Sequence, residues 1–374
     1  MLCQKEKGTG LSMPELWSNK DSPQQHAGRL AAPGYVYDPI YLEHDTGGHP
    51  ESPRRLEAVI SDLDWKGIRQ QLKAVPARPA TLDELTTVHQ AEYISRIEAY
   101  CRHGGGWWDA DTLMSAGSYK AALYAAGGGI AAVEAVMKRD VPCAYALVRP
   151  PGHHATKNNA MGFCLFNNIA IAANYALKTY KMERVLIIDF DVHHGNGTQE
   201  AFAHNSYVLY ISMHQYPLFP GTGHLNDTGQ GIGGGTAINI PLPAGCGDNE
   251  YKLVFDEIVI PATRRFNPEI ILVSAGYDGH WADEMSNMRL TLDGYYYLTR
   301  VIQQLADELC GGKTVFCLEG GYNLKVLSCA VNATFNIWLG ENYFDDPLGL
   351  PPNDIKPHGV NELIVEVRRR HGLY

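Results

Sequence analysis

The sequence predicts an α/β fold: a single, mainly parallel sheet with helices on both faces, a three-layer sandwich. One unit recurs, an apolar run, a glycine-bearing turn, a polar cluster and then a helix. Short, continuously apolar runs read as strands buried on both faces. Strands that alternate with helices imply a parallel sheet covered on both sides. In every repeat the polar cluster follows the carboxyl end of its strand, which is where open α/β sheets bind ligands.

Taken in order, Gly34–Asp38 reads as a first strand, and His49-Pro-Glu-Ser-Pro-Arg-Arg55 as a proline-bounded loop leading into a helix over Glu57–Leu63. Thr81–Tyr100 has apolar positions at helical spacing, with His89 and Tyr93 read as packing residues. His103-Gly-Gly-Gly-Trp-Trp-Asp-Ala-Asp-Thr112 is a glycine loop whose two tryptophans suit a binding rim, with Asp109 and Asp111 as candidate substrate contacts. An Ala/Gly-rich helix interrupted by Gly127-Gly-Gly129 follows over Ser115–Arg139.

The repeats come next. Cys143–Val148 ends in Arg149-Pro-Pro-Gly-His-His154, and Val185–Phe190 in Asp191-Val-His-His-Gly-Asn-Gly197. Tyr207–Ser212 ends near His214 and leads to Phe219-Pro-Gly-Thr-Gly223. Ile270–Ser274 ends in Ala275-Gly-Tyr-Asp-Gly-His280, and Thr314–Leu318 in Glu319-Gly-Gly-Tyr-Asn323.

Composition narrows the function. With 31 basic against 41 acidic residues the net charge is −10, and the basic run Arg368-Arg-Arg370 is short, so direct nucleic-acid binding is not expected. No apolar run reaches the ~18 residues of a membrane span. Eight cysteines, without a Cys-x-x-Cys pair, read as small buried hydrophobes in a reducing compartment such as the cytoplasm. Residues 1–33 form a polar, loosely ordered segment, and residues 34–374 one catalytic domain. An oligomer is compatible with the sequence.

The chemistry centres on Val185–Gln199. In an extended backbone Asp189, Asp191 and His193 share one face as the strand runs out. Carboxylates beside so apolar a strand need a compensating cation or hydrogen-bond network. Asp191, His193 and Asp278 as ligands leave coordination open for water and substrate, as in a catalytic metal site, and their oxygen-rich set suits manganese as well as zinc. His153 and His154 suit proton transfer, with Asp189 and Asn196 available to orient the rings. An Asp partner favours a charged ring and an Asn does not, so the pair can hold different protonation states. Tyr322 is a candidate oxyanion donor. A polarised carbonyl, an activated water, a histidine base and a tyrosine donor together make a hydrolase of an amide or ester.

These motifs, in this order from about Tyr35 to Leu339, resemble the zinc-dependent histone deacetylase family, including bacterial deacetylase-like amidohydrolases and acetylpolyamine amidohydrolases. The resemblance implies an arginase-like sandwich. It implies one zinc ion on Asp191, His193 and Asp278, His154 as general base and acid, His153 as its electrostatic neighbour, and Tyr322 on the carbonyl oxygen. Asp189 would hold His153 and Asn196 would hold His154, the Gly-Asn-Gly turn resembling the class II pattern. Gly162, Phe163 and Phe219 would wall a tunnel for the acyl-lysine stem, with Leu290 a further candidate. A structural potassium ion would use main-chain oxygens of Asp189, Asp191 and His193 with the Ser212 hydroxyl. The implied substrate is acetyl-lysine in peptides or proteins, or an acetylated polyamine. An arginase-like ureohydrolase would need a two-manganese ligand set, and a silent acyl-lysine binding module a broken site.

Overall fold

The computed structural model describes residues 31–341, 343–352 and 355–374, so residues 1–30 of the polar segment lie outside the described residues. Ten strands are described: β1 (Gly34–Val36), β2 (Lys73–Val75), β3 (Gly105–Trp107), β4 (Leu113–Ser115), β5 (Cys143–Ala146), β6 (Val185–Asp189), β7 (Val208–Gln215), β8 (Ala237–Leu242), β9 (Ile270–Ala275) and β10 (Thr314–Leu318). Eight of them form one sheet in the order β2-β1-β5-β10-β9-β6-β7-β8, and every pairing in it is parallel. The strands β10, β9 and β6 near the middle of the sheet are buried at every position, as their predominantly apolar content requires.

Helices cover both faces. α1 (Arg54–Trp65), α2 (Leu82–Leu85), α3 (Ala91–Arg102), α4 (Ser118–Met137) and α5 (Asn168–Tyr180) precede α6 (Asn196–Phe202), α7 (Asp248–Val254) and α8 (Ile260–Phe266). The last three are α9 (Leu292–Cys310), α10 (Leu324–Trp338) and α11 (Val360–His371). α4 packs on α5, while α10 packs on α1 and α9. The triple glycine does not interrupt α4, which runs through it against β1, β5 and β10.

Two more sequence expectations change. The helical pattern of Thr81–Tyr100 is two helices, because His89 turns inward between them. Its Nδ1 lies 2.8 Å from the Thr156 carbonyl and its Nε2 accepts from the Asn167 amide at 2.8 Å. The glycine loop is in part a hairpin, with β3 and β4 paired antiparallel. Seven cysteines among the described residues are free and buried, as small hydrophobes should be. No helix among the described residues is long and apolar enough to cross a membrane.

Candidate active site

The carboxyl ends of β6, β9 and β10 meet at one point. β6 stops at Asp189, and the chain beyond it is coiled rather than pleated. Asp189 Oδ1 accepts the Asp191 amide at 3.2 Å and Asp191 Oδ1 the His193 amide at 2.9 Å. Local side-chain turns of this kind, and not an alternating strand, bring the two groups together. Asp278, just past β9, accepts the Val192 amide at 3.1 Å, and Asp191 Oδ2 accepts the Gly320 amide at 2.8 Å. A side chain at Gly320 would collide with the Asp191 and Asp278 carboxylates, so only glycine fits that approach.

Asp191, His193 and Asp278 each offer a ligand atom within 4.8 Å of the others, and all three are buried. His193 Nδ1 lies 3.2 Å from Asp191 Oδ1 and 3.1 Å from Asp278 Oδ2. Burial opposes a charged ring, yet hydrogen bonds and charge from Asp191 and Asp278 hold His193 up at about 10. Burial also raises Asp278, reinforced by Asp191. Two carboxylates this close and this dry demand positive charge, which is the donor chemistry of a cation site. The adjacent His194 is committed elsewhere, to Thr222 Oγ1 at 2.7 Å and Gln199 Oε1 at 2.9 Å.

The tandem histidines lie alongside, their ring centroids 4.0 Å apart. His153 Nδ1 is 3.1 Å from Asp189 Oδ2, which also accepts the Tyr210 hydroxyl at 2.9 Å. His154 Nδ1 is 2.9 Å from Asn196 Oδ1 on the first turn of α6. Burial disfavours charge on both rings, and partners then separate them. Asp191 and Asp189 raise His153 to about 10, whereas burial and the neighbouring His153 charge push His154 well below the ordinary range. The surroundings thus favour the charged form of His153 and the neutral form of His154.

Tyr322 closes the opposite wall. Its ring stands edge-on to Phe163 with centroids 5.6 Å apart, and the Arg55 guanidinium sits 4.9 Å from the ring centroid. Arg55 Nε donates to the Gly321 carbonyl at 2.8 Å, and Asp283 Oδ2 accepts the Tyr322 and Asn323 amides at 2.7 and 2.8 Å. Among the described residues nothing hydrogen-bonds the Tyr322 hydroxyl. Burial, with Asp278 and Asp191 nearby, holds that phenol well above its usual value, so it remains a neutral donor.

A cavity of about 210 Å³ reaches this cluster, lined by His153, His154, Asp191, His193, Gly162, Phe163, Phe219 and Tyr322. Gly162 and Phe163 both adopt positive φ, 54° and 68°, in a tight turn against the His154 ring. A bulky residue in that region is strained, a condition found most at ligand clamps. Two of the substrate-binding candidates do not line the cavity. Leu290 is fully buried, pinned by its amide bond to the Gly279 carbonyl and packed toward Gly294, and Met285 and Leu218 line the wall instead. Asp109 is exposed, its Oδ1 spent on the Asp111 and Thr112 amides, and Asp111 lines the cavity.

His153, Cys164 and Glu319 form a second close group. Glu319 is used as a brace: Oε2 accepts the Gly152 and His153 amides at 2.7 and 3.1 Å, and Oε1 the Ser274 hydroxyl at 3.2 Å. Burial raises the Glu319 carboxyl to about 7 and pushes the Cys164 thiol far up, so no thiolate nucleophile faces the cavity. Arg55, Asp283 and Glu319 were not among the sequence candidates. Arg55 lies in the His49–Arg55 motif and Glu319 opens the Glu-Gly-Gly-Tyr motif, which were the available signals.

A sequence model of the family described as "Histone deacetylase domain" matches residues 49–338. "Histone deacetylase 14, chloroplastic" of Arabidopsis thaliana is 41% identical over 330 residues, covering 82% of this chain and 77% of that protein. The "Histone deacetylase-like amidohydrolase" of Pseudomonas aeruginosa is 39% identical over 299 residues, covering 80% and 77%. The crystal structure of the HDA15 HD domain superposes with a TM-score of 0.83 at 34% identity, covering 91% of this chain and 94% of that one. The chain therefore belongs to the histone deacetylase family of hydrolases.

Proposed function

We propose that this protein hydrolyses the acetyl amide of acetyl-lysine in peptides or proteins with one zinc ion held by Asp191, His193 and Asp278. The observation that carries the reading is geometric: His154 on Asn196, His153 on Asp189 and a Tyr322 side chain with an unpartnered hydroxyl share one cavity with a buried three-ligand cluster. When bound, the ion would supply Lewis-acid polarisation of the acyl carbonyl and activation of a water. His154 Nε2 takes the proton of the attacking water, since Nδ1 is engaged by Asn196. It returns that proton to the leaving lysine amine as the carbon–nitrogen bond breaks. His153, kept charged by Asp189, adds positive potential next to the tetrahedral oxyanion, and Tyr322 donates a hydrogen bond to it. Phe163 and Phe219 flank the methylene stem and exclude water.

A cavity of about 210 Å³ is smaller than the ~300 Å³ lower bound of a drug-sized pocket, and suits a linear chain. A structural potassium ion on the main-chain oxygens of Asp189, Asp191 and His193 also has support. Ser212 is in register with Asp189, and its hydroxyl lies 2.9 Å from His214 Nδ1. His214 Nε2 lies 2.9 Å from the Gly223 carbonyl, so Nε2 carries the proton, Ser212 donates to Nδ1, and its lone pairs are left for a cation.

An acetylpolyamine is the second substrate reading, favoured by the Asp111 carboxylate at the cavity. Residues 34–374 would act as one catalytic domain, without a nucleic-acid partner and in a reducing compartment. That compartment is the cytoplasm, or a plastid as in the chloroplastic relative. The test is acetate release by zinc-loaded protein from an acetyl-lysine peptide and from acetylspermidine at equal concentration. Preferred turnover of the peptide is expected. A strong polyamine preference would reverse the ranking, and no release from either would end the reading.

A further inference from the structure

Beside the catalytic cavity lies a second depression of about 680 Å³, lined by Asp45, Thr46, His49, the backbone of Gly104–Gly106 and Trp107. The two share a wall. The His49 ring stands edge-on to Phe163 with centroids 4.6 Å apart, and His49 Nε2 is 3.1 Å from the main-chain carbonyl of Asp111, which itself lines the catalytic cavity. On its other side His49 faces Trp107 at 5.9 Å.

The paired tryptophans are in different states. Trp108 is engaged, with Arg96 stacked 5.2 Å from its ring and its Nε1 donating to Asn159 Oδ1 at 3.2 Å. Trp107 is 58% exposed, and among the described residues no cation covers it. Its backbone is nonetheless fixed, since β3 pairs Trp107 with Leu113 and its carbonyl accepts the Tyr100 hydroxyl at 2.8 Å. An exposed aromatic on a rigid hairpin loses little conformational freedom when it binds. Asp111 lines the catalytic depression and Asp45 the second one, and among the described residues no Lys or Arg lines either.

We propose that Trp107, with Asp45, is a subsite for a positively charged side chain of the acyl-lysine peptide, an Arg or Lys near the modified lysine. The inference rests on the peptide-deacetylase reading above. The two ring-to-ring steps of 5.9 and 4.6 Å from Trp107 to Phe163 set the spacing. Two to three residues of extended chain cover that span at ~3.4 Å each. A guanidinium in this depression has the electron-rich indole face and the Asp45 carboxylate among its walls. Cation–π contact at an exposed site corresponds to about a two- to fivefold preference.

The test is a set of acetyl-lysine peptides with Arg, Ala or Glu at each of the three positions on either side. kcat/KM is measured for wild type, Trp107→Ala, Trp107→Phe and Asp45→Asn. Asp45→Asn keeps the acceptor that caps the Gly47 amide and removes only the charge. Wild type should prefer Arg over Ala two- to fivefold at a position two or three residues from the acetyl-lysine and disfavour Glu there. The Arg/Ala ratio should fall to about one in Trp107→Ala, persist in Trp107→Phe, and shrink in Asp45→Asn. Ready turnover with a flat profile in wild type, or a ratio unaltered by Trp107→Ala, would overturn the subsite and leave the deacetylase reading standing. No turnover of any peptide would overturn both. If Trp107→Ala lowered acetylspermidine turnover and left the peptide ratios alone, the cation recognised would be a polyamine's, and the peptide assignment would fall.

Discussion

Replacing Tyr322 with Phe isolates a single hydroxyl. The ring contacts that hold residue 322, the edge of Phe163 at 5.6 Å and the Arg55 guanidinium at 4.9 Å, are available to either side chain. The main-chain latch is equally indifferent, because Asp283 holds the amides of residues 322 and 323. The hydroxyl has no hydrogen-bond partner among the described residues, so its removal orphans no buried group and stability should not change. On the proposed mechanism what is lost is a donor to the oxyanion, worth about 3 kcal/mol, or roughly a hundredfold in rate. Steady-state kinetics on an unactivated acetyl-lysine peptide should show kcat down by about two orders of magnitude with KM changed far less. Since burial keeps the phenol protonated well above neutral pH, the pH profile of the residual activity should keep the wild-type shape. A Phe variant with near-normal kcat would refute the argument that this hydroxyl, and not the ring or the loop, does the stabilising.

Two further predictions concern stability. Glu51 is fully buried between Arg149, Arg55 and His44, with Arg149 Nη2 bonded to its Oε2 at 2.8 Å. Burial would raise this carboxyl, but Arg149 and His44 hold it well below its ordinary value. Its contribution is therefore present above the unfolded-state value of about 4.3 and disappears as pH falls through the lower folded value. Glu51→Gln leaves buried arginines uncompensated and should cost about 3 kcal/mol in urea unfolding at pH 7, a gap to wild type that narrows below about pH 4. A gap that widened on acidification would contradict the sign. Leu290→Ala, at a core position rather than on the tunnel wall, should lower stability by about 2–5 kcal/mol and leave kcat/KM of the folded enzyme unchanged. A changed KM with normal stability would put Leu290 back on the wall.

What was legible in the sequence was chemistry tied to contiguous motifs. Apolar runs ending in polar clusters placed β5, β6, β7, β9 and β10. Asp191, His193 and Asp278 were legible because a carboxylate–imidazole cluster beside an apolar run has few other uses. Strand alternation does not bring them together: local turns gather Asp191 and His193, and parallel pairing of β6 with β9 brings in Asp278. Other features depended on tertiary contacts that spacing does not record. β2 is an edge strand of three residues, and the other edge strand, β8, carries Pro241. Arg55 reaches Gly321 across 266 positions. Leu290 reads as an apolar residue near Asp278, and only the folded loop shows that Met285 reaches the cavity while Leu290 turns into the core.

The central claim is that Asp191, His193 and Asp278 hold one catalytic zinc ion, and add-back to chelator-stripped protein tests it most directly. Acetate release from an acetyl-lysine peptide should be absent in the stripped protein and return in proportion to added zinc. It should saturate at one ion per chain, with metal binding itself lost in Asp278→Asn. Undiminished turnover after stripping, or activity that required two manganese ions per chain, would contradict the account.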